Sequence, residues 1–169
     1  GEINTLKGNV NWMKVHEEEM FDSNYDNMEN LKPVIPEGNS DSASLDNVFE
    51  LLSMSGHSAP LTKLMLIPDA WSKKSKILPK NQLKLFNFLN STMEPWDGPA
   101  ALAGTDNEWV IAASDRNGLR PLRFTITRDK LLFAGSETGM VDLNEKKIIR
   151  KGRLGPGEII GVRLSLIHI

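Results

Sequence analysis

The sequence contains no cysteine, which excludes disulfide bonds, thiolate metal ligands and a cysteine nucleophile within its 169 residues. Histidine is also scarce, and His16, His57 and His168 are too far apart in sequence to suggest a metal site. We therefore expect no metal centre in this chain. Thiol chemistry would have to come from residues outside it.

The chain also lacks a strong net charge and a long apolar run. Its formal net charge is -2, so nothing indicates the basic surface that nucleic-acid binding requires. No apolar run approaches the roughly 20 residues that cross a bilayer, and no basic stretch leads into an apolar one at the start. We expect a soluble, cytoplasmic protein without nucleic-acid or membrane partners.

What is present is the composition of an ordinary globular domain, with 40% hydrophobic and 25% charged residues. The sequence opens on Gly-Glu-Ile-Asn without an initiator methionine, and its last five residues are apolar with no evident structural partner. We expect an interior piece of a longer protein. Residues 1–164 would belong to one domain, and residues 165–169 would be a truncated or non-native tail.

Apolar residues at helical spacing predict several helices in the first half of the chain. The clearest covers residues 42–55, where Leu45, Val48 and Leu52 share one face and Gly56 follows as a stop. Other helices are predicted after Ser58 as far as Pro68, over 81–93 with Leu85, Phe86, Leu89 and Met93 inward, and over 13–20 after a loop at 1–12. Residues 21–39 predict a surface excursion, and Glu17 to Glu19 predict a solvated helix face.

Short runs of apolar or β-branched residues predict strands in the second half, over 98–105, 109–114, 123–127, 131–134 and 158–164. Asp-Asn, Arg-Asn-Gly, Arg-Asp-Lys and Gly-Pro-Gly separate them, and Gly152 to Gly157 reads as a glycine-rich turn. Closely spaced strands with tight connections indicate antiparallel pairing. Helices followed by such strands predict an α+β fold in which helices cover a sheet.

Asp41 lies at the start of the clearest helix and admits two interpretations. A carboxylate there caps the helix by accepting backbone N–H bonds, and local reasoning favours this structural role. The functional alternative is a carboxylate that binds a ligand ammonium. One residue can do both, because an ionised carboxylate has several acceptor sites.

Arg116 and Arg120 flank Asn117 and Gly118, a dipeptide that permits a sharp hairpin. Forked hydrogen bonds from these arginines could receive an anionic substrate. The structural interpretation, which we favour from the residues alone, is that they pair with carboxylates such as Asp97 or Asp115 and fix the turn. By similar reasoning we expect Trp96 to pack in the core or at a sheet edge and Glu137 to be a turn residue.

Six sequence blocks together resemble the glutaminase domain of the glutamate synthase large subunit, a class II glutamine amidotransferase. They run in the family's order and are residues 1–13, 40–42, 66–71, 93–100, 115–121 and 151–154. The Asp115 to Pro121 block is similar to the Asp-x-x-Gly-x-Arg-Pro turn of several class II amidotransferases. The blocks at 1–13 and 94–100 point to glutamate synthase in particular.

The resemblance implies a four-layer αββα fold of the N-terminal-nucleophile type, of which this chain would be the second half. In that family a cysteine at the mature N-terminus attacks the side-chain amide of L-glutamine, with its own α-amine as base. Gly1 matches the glycine whose backbone N–H helps to form the oxyanion hole, beside an asparagine that precedes it. Asp41 matches the residue that holds the α-ammonium of the substrate, and we expect the chain alone to be inactive.

In full-length relatives the ammonia is combined with 2-oxoglutarate, and the resemblance implies FMN and an iron–sulfur cluster in other domains and none in this chain. Those domains, and a small electron-donating subunit or ferredoxin, are the implied partners. Two alternatives stay open at this point. The chain could belong to an amidotransferase with another ammonia acceptor, or be a noncatalytic module that binds an amino acid.

Overall fold

The computed structural model describes residues 2–21, 27–70 and 78–164. These residues form four α-helices, two short 3₁₀ helices and six β-strands. The α-helices are α1 (Leu6–Glu19), α2 (Asp41–Met54), α3 (Ala59–Leu66) and α4 (Lys80–Thr92), and the 3₁₀ helices are Met28–Leu31 and Glu145–Lys147. The strands are β1 (Ala101–Thr105), β2 (Trp109–Ser114), β3 (Arg123–Thr127), β4 (Leu132–Gly135), β5 (Ile148–Arg153) and β6 (Ile159–Arg163).

The strands make two antiparallel three-stranded sheets. The first has the order β1-β2-β6 and the second the order β4-β3-β5. Strand β2 is central in the first sheet and is buried on both faces, since Ile111, Ala112 and Ala113 are all buried. The predicted α+β class is confirmed.

Helices, first sheet and second sheet are stacked in that order. Phe49 of α2 packs against Gly104 of β1, where an added Cβ would lie 2.9 Å from the ring. On its other face the first sheet meets the second through a cluster of Ala112, Leu122, Phe124 and Leu154. Three layers of the expected αββα arrangement therefore lie within the described residues.

The larger core lies among the helices and takes in Trp96, which is buried as expected. The backbone N–H of Trp96 donates to the carbonyl of Leu66 at 2.7 Å. The other buried members are Ile3, Met13, Val34, Ile35, Leu45, Val48, Leu52, Met65, Leu66, Ile67, Leu89 and Met93. The 94–100 segment is thus fixed by its tryptophan to the end of α3.

Helix α1 begins seven residues earlier than the sequence predicted, at Leu6 rather than residue 13. The turn-forming Asn9 is accommodated because its side chain is satisfied: Nδ2 donates to the Pro95 carbonyl at 3.1 Å, and Oδ1 accepts from the Thr5 hydroxyl at 2.6 Å. The solvated-face interpretation is wrong for Glu17, which is buried and accepts a hydrogen bond from the Val34 N–H at 2.8 Å. Tertiary contacts outweigh local propensity in this helix.

Helices α2, α3 and α4 and strands β1, β2, β3, β4 and β6 were predicted to within a few residues. Leu85 was expected to face inward on α4 but is exposed. Strand β5 was missed because Arg-Lys-Gly-Arg lacks an apolar alternation. Its pairing with β3 explains it, since Gly152 lies against the Phe124 ring and the Arg150 guanidinium sits 5.3 Å from the centre of that ring.

Among the described residues no helix is long and apolar enough to cross a membrane.

Candidate active site

Asp41 is the first residue of α2 and is held from two sides. Its Oδ1 accepts the N–H of Ser42 at 2.8 Å, and its Oδ2 accepts the N–H of Ile3 at 2.7 Å. Ser40, not Asp41, is the N-cap residue, and its hydroxyl accepts the N–H of Ala43 at 3.2 Å. Asp41 is therefore not the N-cap residue, although it accepts one N–H of the first turn, and its second carboxylate oxygen contacts the amino-terminal segment.

Asp41 is charged at neutral pH. The Ile3 N–H, and after it the Ser42 N–H, lower the pKa of this carboxyl below its ordinary value. The side chain is half-buried, and two of the roughly four acceptor positions of an ionised carboxylate are occupied. Capacity remains for a cationic ligand, such as an ammonium group.

The segment that supplies the Ile3 amide is paired with residues 97–99. The Glu2 N–H donates to the Pro99 carbonyl at 2.9 Å and the Asn4 N–H to the Asp97 carbonyl at 2.8 Å. Gly98 lies between these two bonds, where an added Cβ would be only 1.9 Å from the Glu2 carbonyl oxygen. The close approach of the two backbones thus requires glycine at this position.

Asp115, directly after β2, connects three other segments. Its buried carboxylate accepts backbone N–H bonds from Asn117, Leu119, Arg120 and, at 3.2 Å, Ala100. Its own carbonyl accepts the N–H of Gly157 at 2.8 Å. The residue therefore fixes the 115–121 turn to the strand entry at residue 100 and to the turn before β6.

These features form one continuous arrangement of polar contacts. A carboxylate at a helix start faces the amino-terminal segment, that segment is paired with residues 97–99, and residue 100 is held by the buried aspartate. The chain matches the family model described as "Glutamine amidotransferases class-II" over residues 1–169.

This chain belongs to the class II glutamine amidotransferases.

The amidotransferase chain is similar to glutamate synthases from several organisms. It is 57% identical over 166 residues to "Glutamate synthase [NADPH] large chain" of Azospirillum brasilense, which covers 98% of this chain and 11% of that relative. It is 43% identical over 168 residues to "Ferredoxin-dependent glutamate synthase 2" of Synechocystis sp., with coverages of 98% and 11%. It is 43% identical over 169 residues to "Glutamate synthase [NADH]" of Saccharomyces cerevisiae, with coverages of 98% and 8%. The chain thus spans about a tenth of the length of these relatives.

The amidotransferase turn around Arg116 and Arg120 differs from two expectations made from the sequence, namely a hairpin and arginine–carboxylate pairs. It is not a hairpin, because β2 and β3 belong to different sheets and the turn passes between them. Neither arginine lies within 4.0 Å of a carboxylate among the residues that the structure describes. Backbone bonds to Asp115, rather than arginine ion pairs, hold the turn, so the expected pairing with Asp97 or Asp115 is wrong.

Asn117 and Gly118 have distinct places in this turn. The Asn117 N–H bonds to Asp115, while Gly118 adopts φ +66° and lies against Pro156. An added Cβ at Gly118 would be 2.9 Å from the Pro156 nitrogen. The turn is therefore built for close contact with the loop before β6, and on it Arg116 is half-buried and Arg120 is exposed.

Gly1, the expected oxyanion-hole residue, lies outside the described residues, as do the expected tail at 165–169 and Trp71 of the third resemblance block. The two larger cavities are lined by other residues than Asp41. In the described part of the amidotransferase chain, no group of three or more His, Cys, Asp or Glu side chains is arranged to hold a metal ion.

The importance of Asp115 and Gly98 was missed by sequence reasoning, although both lie in blocks singled out for the family resemblance. Their sequence signal was the density of turn-forming residues around them. What could not be read was the partner of each: the Glu2 backbone for Gly98, and Ala100 and Gly157 for Asp115.

Replacing Asp115 with asparagine is expected to weaken the turn by about 2–4 kcal/mol at pH 7, because an amide presents one acceptor where a charged carboxylate presents several. Hydrogen exchange of the native polypeptide that carries this chain measures the effect as faster exchange in peptides covering 97–100 and 115–121. Unchanged exchange in both peptides would contradict the assigned role.

The same variant gives a pH test. Burial alone would raise the pKa of Asp115, but the N–H donors of Leu119, Arg120, Ala100 and Asn117 outweigh it and hold the pKa below the ordinary 3.8. The stabilisation by this group is therefore fully present above pH 3.8 and is lost as the pH falls through the lower folded-state value. The difference in calorimetric midpoint between wild type and variant should narrow below about pH 4.

Proposed function

We propose that this chain forms part of the glutamine-hydrolysing site of a glutamate synthase large chain. The observation that carries the proposal is the Asp41 carboxylate, which lies at a helix start, is bonded to the Ile3 amide, and keeps acceptor capacity for an ammonium. Membership of the class II amidotransferases and similarity to glutamate synthases support L-glutamine as the ligand.

In the proposed reaction Asp41 accepts hydrogen bonds from the α-ammonium of glutamine and so fixes the substrate backbone. The α-amine of a cysteine that precedes this sequence takes the proton of the cysteine thiol, the thiolate attacks the side-chain amide carbon, and the resulting α-ammonium returns the proton to the nitrogen that leaves as ammonia. Water then cleaves the thioester to release glutamate. The Gly1 N–H, with a preceding asparagine side chain, would stabilise the tetrahedral oxyanion at a position where glycine allows close approach.

The Asn117–Gly118 turn, with Arg116 and Arg120, has a structural role in this proposal. It is held by Asp115 and supports residue 100, whose neighbours 97–99 pair with the segment that orients Asp41. Residues 1–164 would then be the later portion of the glutaminase domain.

The wider reaction is also a proposal. Ammonia would pass to 2-oxoglutarate in another domain that carries FMN and an iron–sulfur cluster, and the location would be cytoplasmic. The similar proteins are named for NADPH, NADH or ferredoxin, so they support glutamate synthase without selecting the electron donor. Their names favour 2-oxoglutarate over the phosphoribosyl and sugar-phosphate acceptors of other amidotransferases.

The test is a glutamine hydrolysis assay on the native polypeptide. We expect glutamate and ammonia in equal amounts from L-glutamine and no ammonia from the isolated 1–169 chain, which contains no nucleophilic cysteine. Adding 2-oxoglutarate and a reductant should convert the ammonia into a second glutamate. Absence of glutamine hydrolysis by the native polypeptide would overturn the proposal, and consumption of a phosphoribosyl acceptor would replace the glutamate synthase part of it.

A further inference from the structure

Helix α3 buries a lysine. Lys63 is only 1% exposed, although a buried ammonium is unfavourable unless it is hydrogen-bonded and faces opposite charge. Its Nζ donates a hydrogen bond to the carbonyl of Gly157 at 2.8 Å, across 94 residues of sequence. An apolar residue would fill this position without the desolvation, so the contact with Gly157 requires a reason other than packing.

Two carboxylates act on the Lys63 ammonium. Burial has the largest influence and lowers the pKa of Lys63 to about 8, while the negative charges of Asp69 and Asp115 oppose it. Lys63 is therefore mostly protonated at pH 7. Other acidic residues line the cavity that Lys63 borders, namely Asp46 and Glu50 of α2 and Asp106 of the β1–β2 turn.

Gly157 joins Lys63 to the candidate site. Its carbonyl accepts from Lys63, and its N–H donates to the Asp115 carbonyl at 2.8 Å. An added Cβ at this glycine would lie 2.6 Å from the Asp69 Cβ, so the loop is seated directly on the segment after α3. From Asp115 the contacts continue through Ala100 to the 97–99 segment.

We propose that Lys63 is a positioning residue of the glutaminase site, which holds Gly157 against Asp115 and thereby fixes residues 97–100 and the 2–4 segment that orients Asp41. The inference rests on the proposed function. Lys63 touches neither substrate nor reacting atoms in this role. Its effect passes through hydrogen bonds that each involve a backbone N–H or carbonyl, all of them between described residues.

The experiment is glutamine hydrolysis by the native polypeptide carrying Lys63→Met, which keeps most of the side-chain volume and removes the donor. We expect the KM for glutamine to rise about 10-fold at pH 7, since one charge-assisted hydrogen bond is lost, with kcat changed less than about 3-fold. Thr62→Val is the matched control. Thr62 is also fully buried on α3, and its hydroxyl has no hydrogen-bond partner among the described residues. The KM of the Thr62→Val variant for glutamine should therefore stay within about 2-fold of the wild-type value.

The pH dependence separates positioning from packing. Charge-assisted hydrogen bonds are about twice as strong as neutral ones. The difference in KM between the wild type and Lys63→Met should therefore become smaller as Lys63 loses its proton above pH 8. The ratio of variant to wild-type KM is therefore expected to narrow between about pH 7 and 9.5. Titration of glutamine itself and of the α-amine affects both proteins and cancels in the ratio, whereas a packing defect would leave it constant.

The possible outcomes distinguish failure of the proposed function from failure of the positioning role of Lys63. If the wild type hydrolyses no glutamine, the proposed function fails and this inference fails with it. If the wild type is active and Lys63→Met has a KM within about 2-fold of it, or a ratio that does not change with pH, the positioning role is overturned while the proposed function stands. Should the methionine variant not fold, Lys63→Gln is measured in its place against the same two criteria.

Discussion

The Asp41→Asn variant of the native polypeptide is expected to have a KM for glutamine hydrolysis about 100-fold above that of the wild type, because glutamine binds more weakly. Asparagine keeps an oxygen that can accept the Ile3 N–H, so the local backbone should be retained. What it loses is the negative charge, which the lowered pKa of Asp41 maintains throughout the neutral range and which the α-ammonium of the substrate would meet.

Asp46→Asn is the matched control for this prediction. Asp46 lies on the same helix and is exposed, so the substitution removes the same charge at a position away from the Ile3 amide. Its KM for glutamine should equal that of the wild type. Equal KM values for Asp41→Asn and Asp46→Asn would exclude Asp41 as the ammonium ligand, and a loss of kcat alone would assign it a different role.

The Gly98→Ala variant is expected to lose the pairing between residues 2–4 and 97–99 and, with it, at least 100-fold in kcat/KM for glutamine. The added methyl group would lie 1.9 Å from the Glu2 carbonyl oxygen and 2.9 Å from the Asn4 nitrogen. Both are backbone atoms, so no change of side-chain rotamer can relieve the clash. Overpacking of this kind destabilises by about 3 kcal/mol. Hydrogen exchange should show the Glu2 and Asn4 amides, which are bonded in the wild type, becoming fast.

The same glycine-to-alanine substitution is expected to have the opposite effect on stability at Gly8. Gly8 is exposed within α1, and an added Cβ there has no atom within 4 Å. Alanine should stabilise the helix by about 1 kcal/mol and leave glutamine hydrolysis unchanged. If Gly98→Ala proved as harmless as Gly8→Ala, the close approach of the two segments would not exist in the protein.

The elements that could be predicted from sequence are those whose signals are local. Helix α2 has its cap in Ser40, its apolar face in Leu45, Val48 and Leu52, and its stop in Gly56, all within one stretch of chain. The start of helix α1 could not be predicted in this way, because the Asn9 side chain is hydrogen-bonded to Pro95, far away in sequence. Strand β5 was not predicted, because its Gly152 and Arg150 both contact the Phe124 ring on the neighbouring strand, and local sequence does not show this contact.

The candidate site divides in the same way. The position of Asp41 at a helix start could be predicted, but its bond to Ile3 spans 38 residues and could not. Asp115 carried a turn signal, whereas its bonds to Ala100 and Gly157 depend on the pairing of β2 with β1 and β6, which no local pattern indicates. Lys63 gave no signal beyond a lone charge in an apolar helix, because the reason for that charge lies 94 residues away.

The pairing of the first residues with the 94–100 region affects how this protein can be synthesised. The Thr5 hydroxyl accepts the Asp97 N–H across 92 residues, and Asp115 receives its Gly157 bond only when the chain has grown further still. Contacts of such high sequence separation form slowly and late. The opening segment lacks its 97–99 partner until residue 99 has emerged from the ribosome, so a nascent chain should form its first helices before this pairing, and it can complete the candidate site only after residue 157 has emerged.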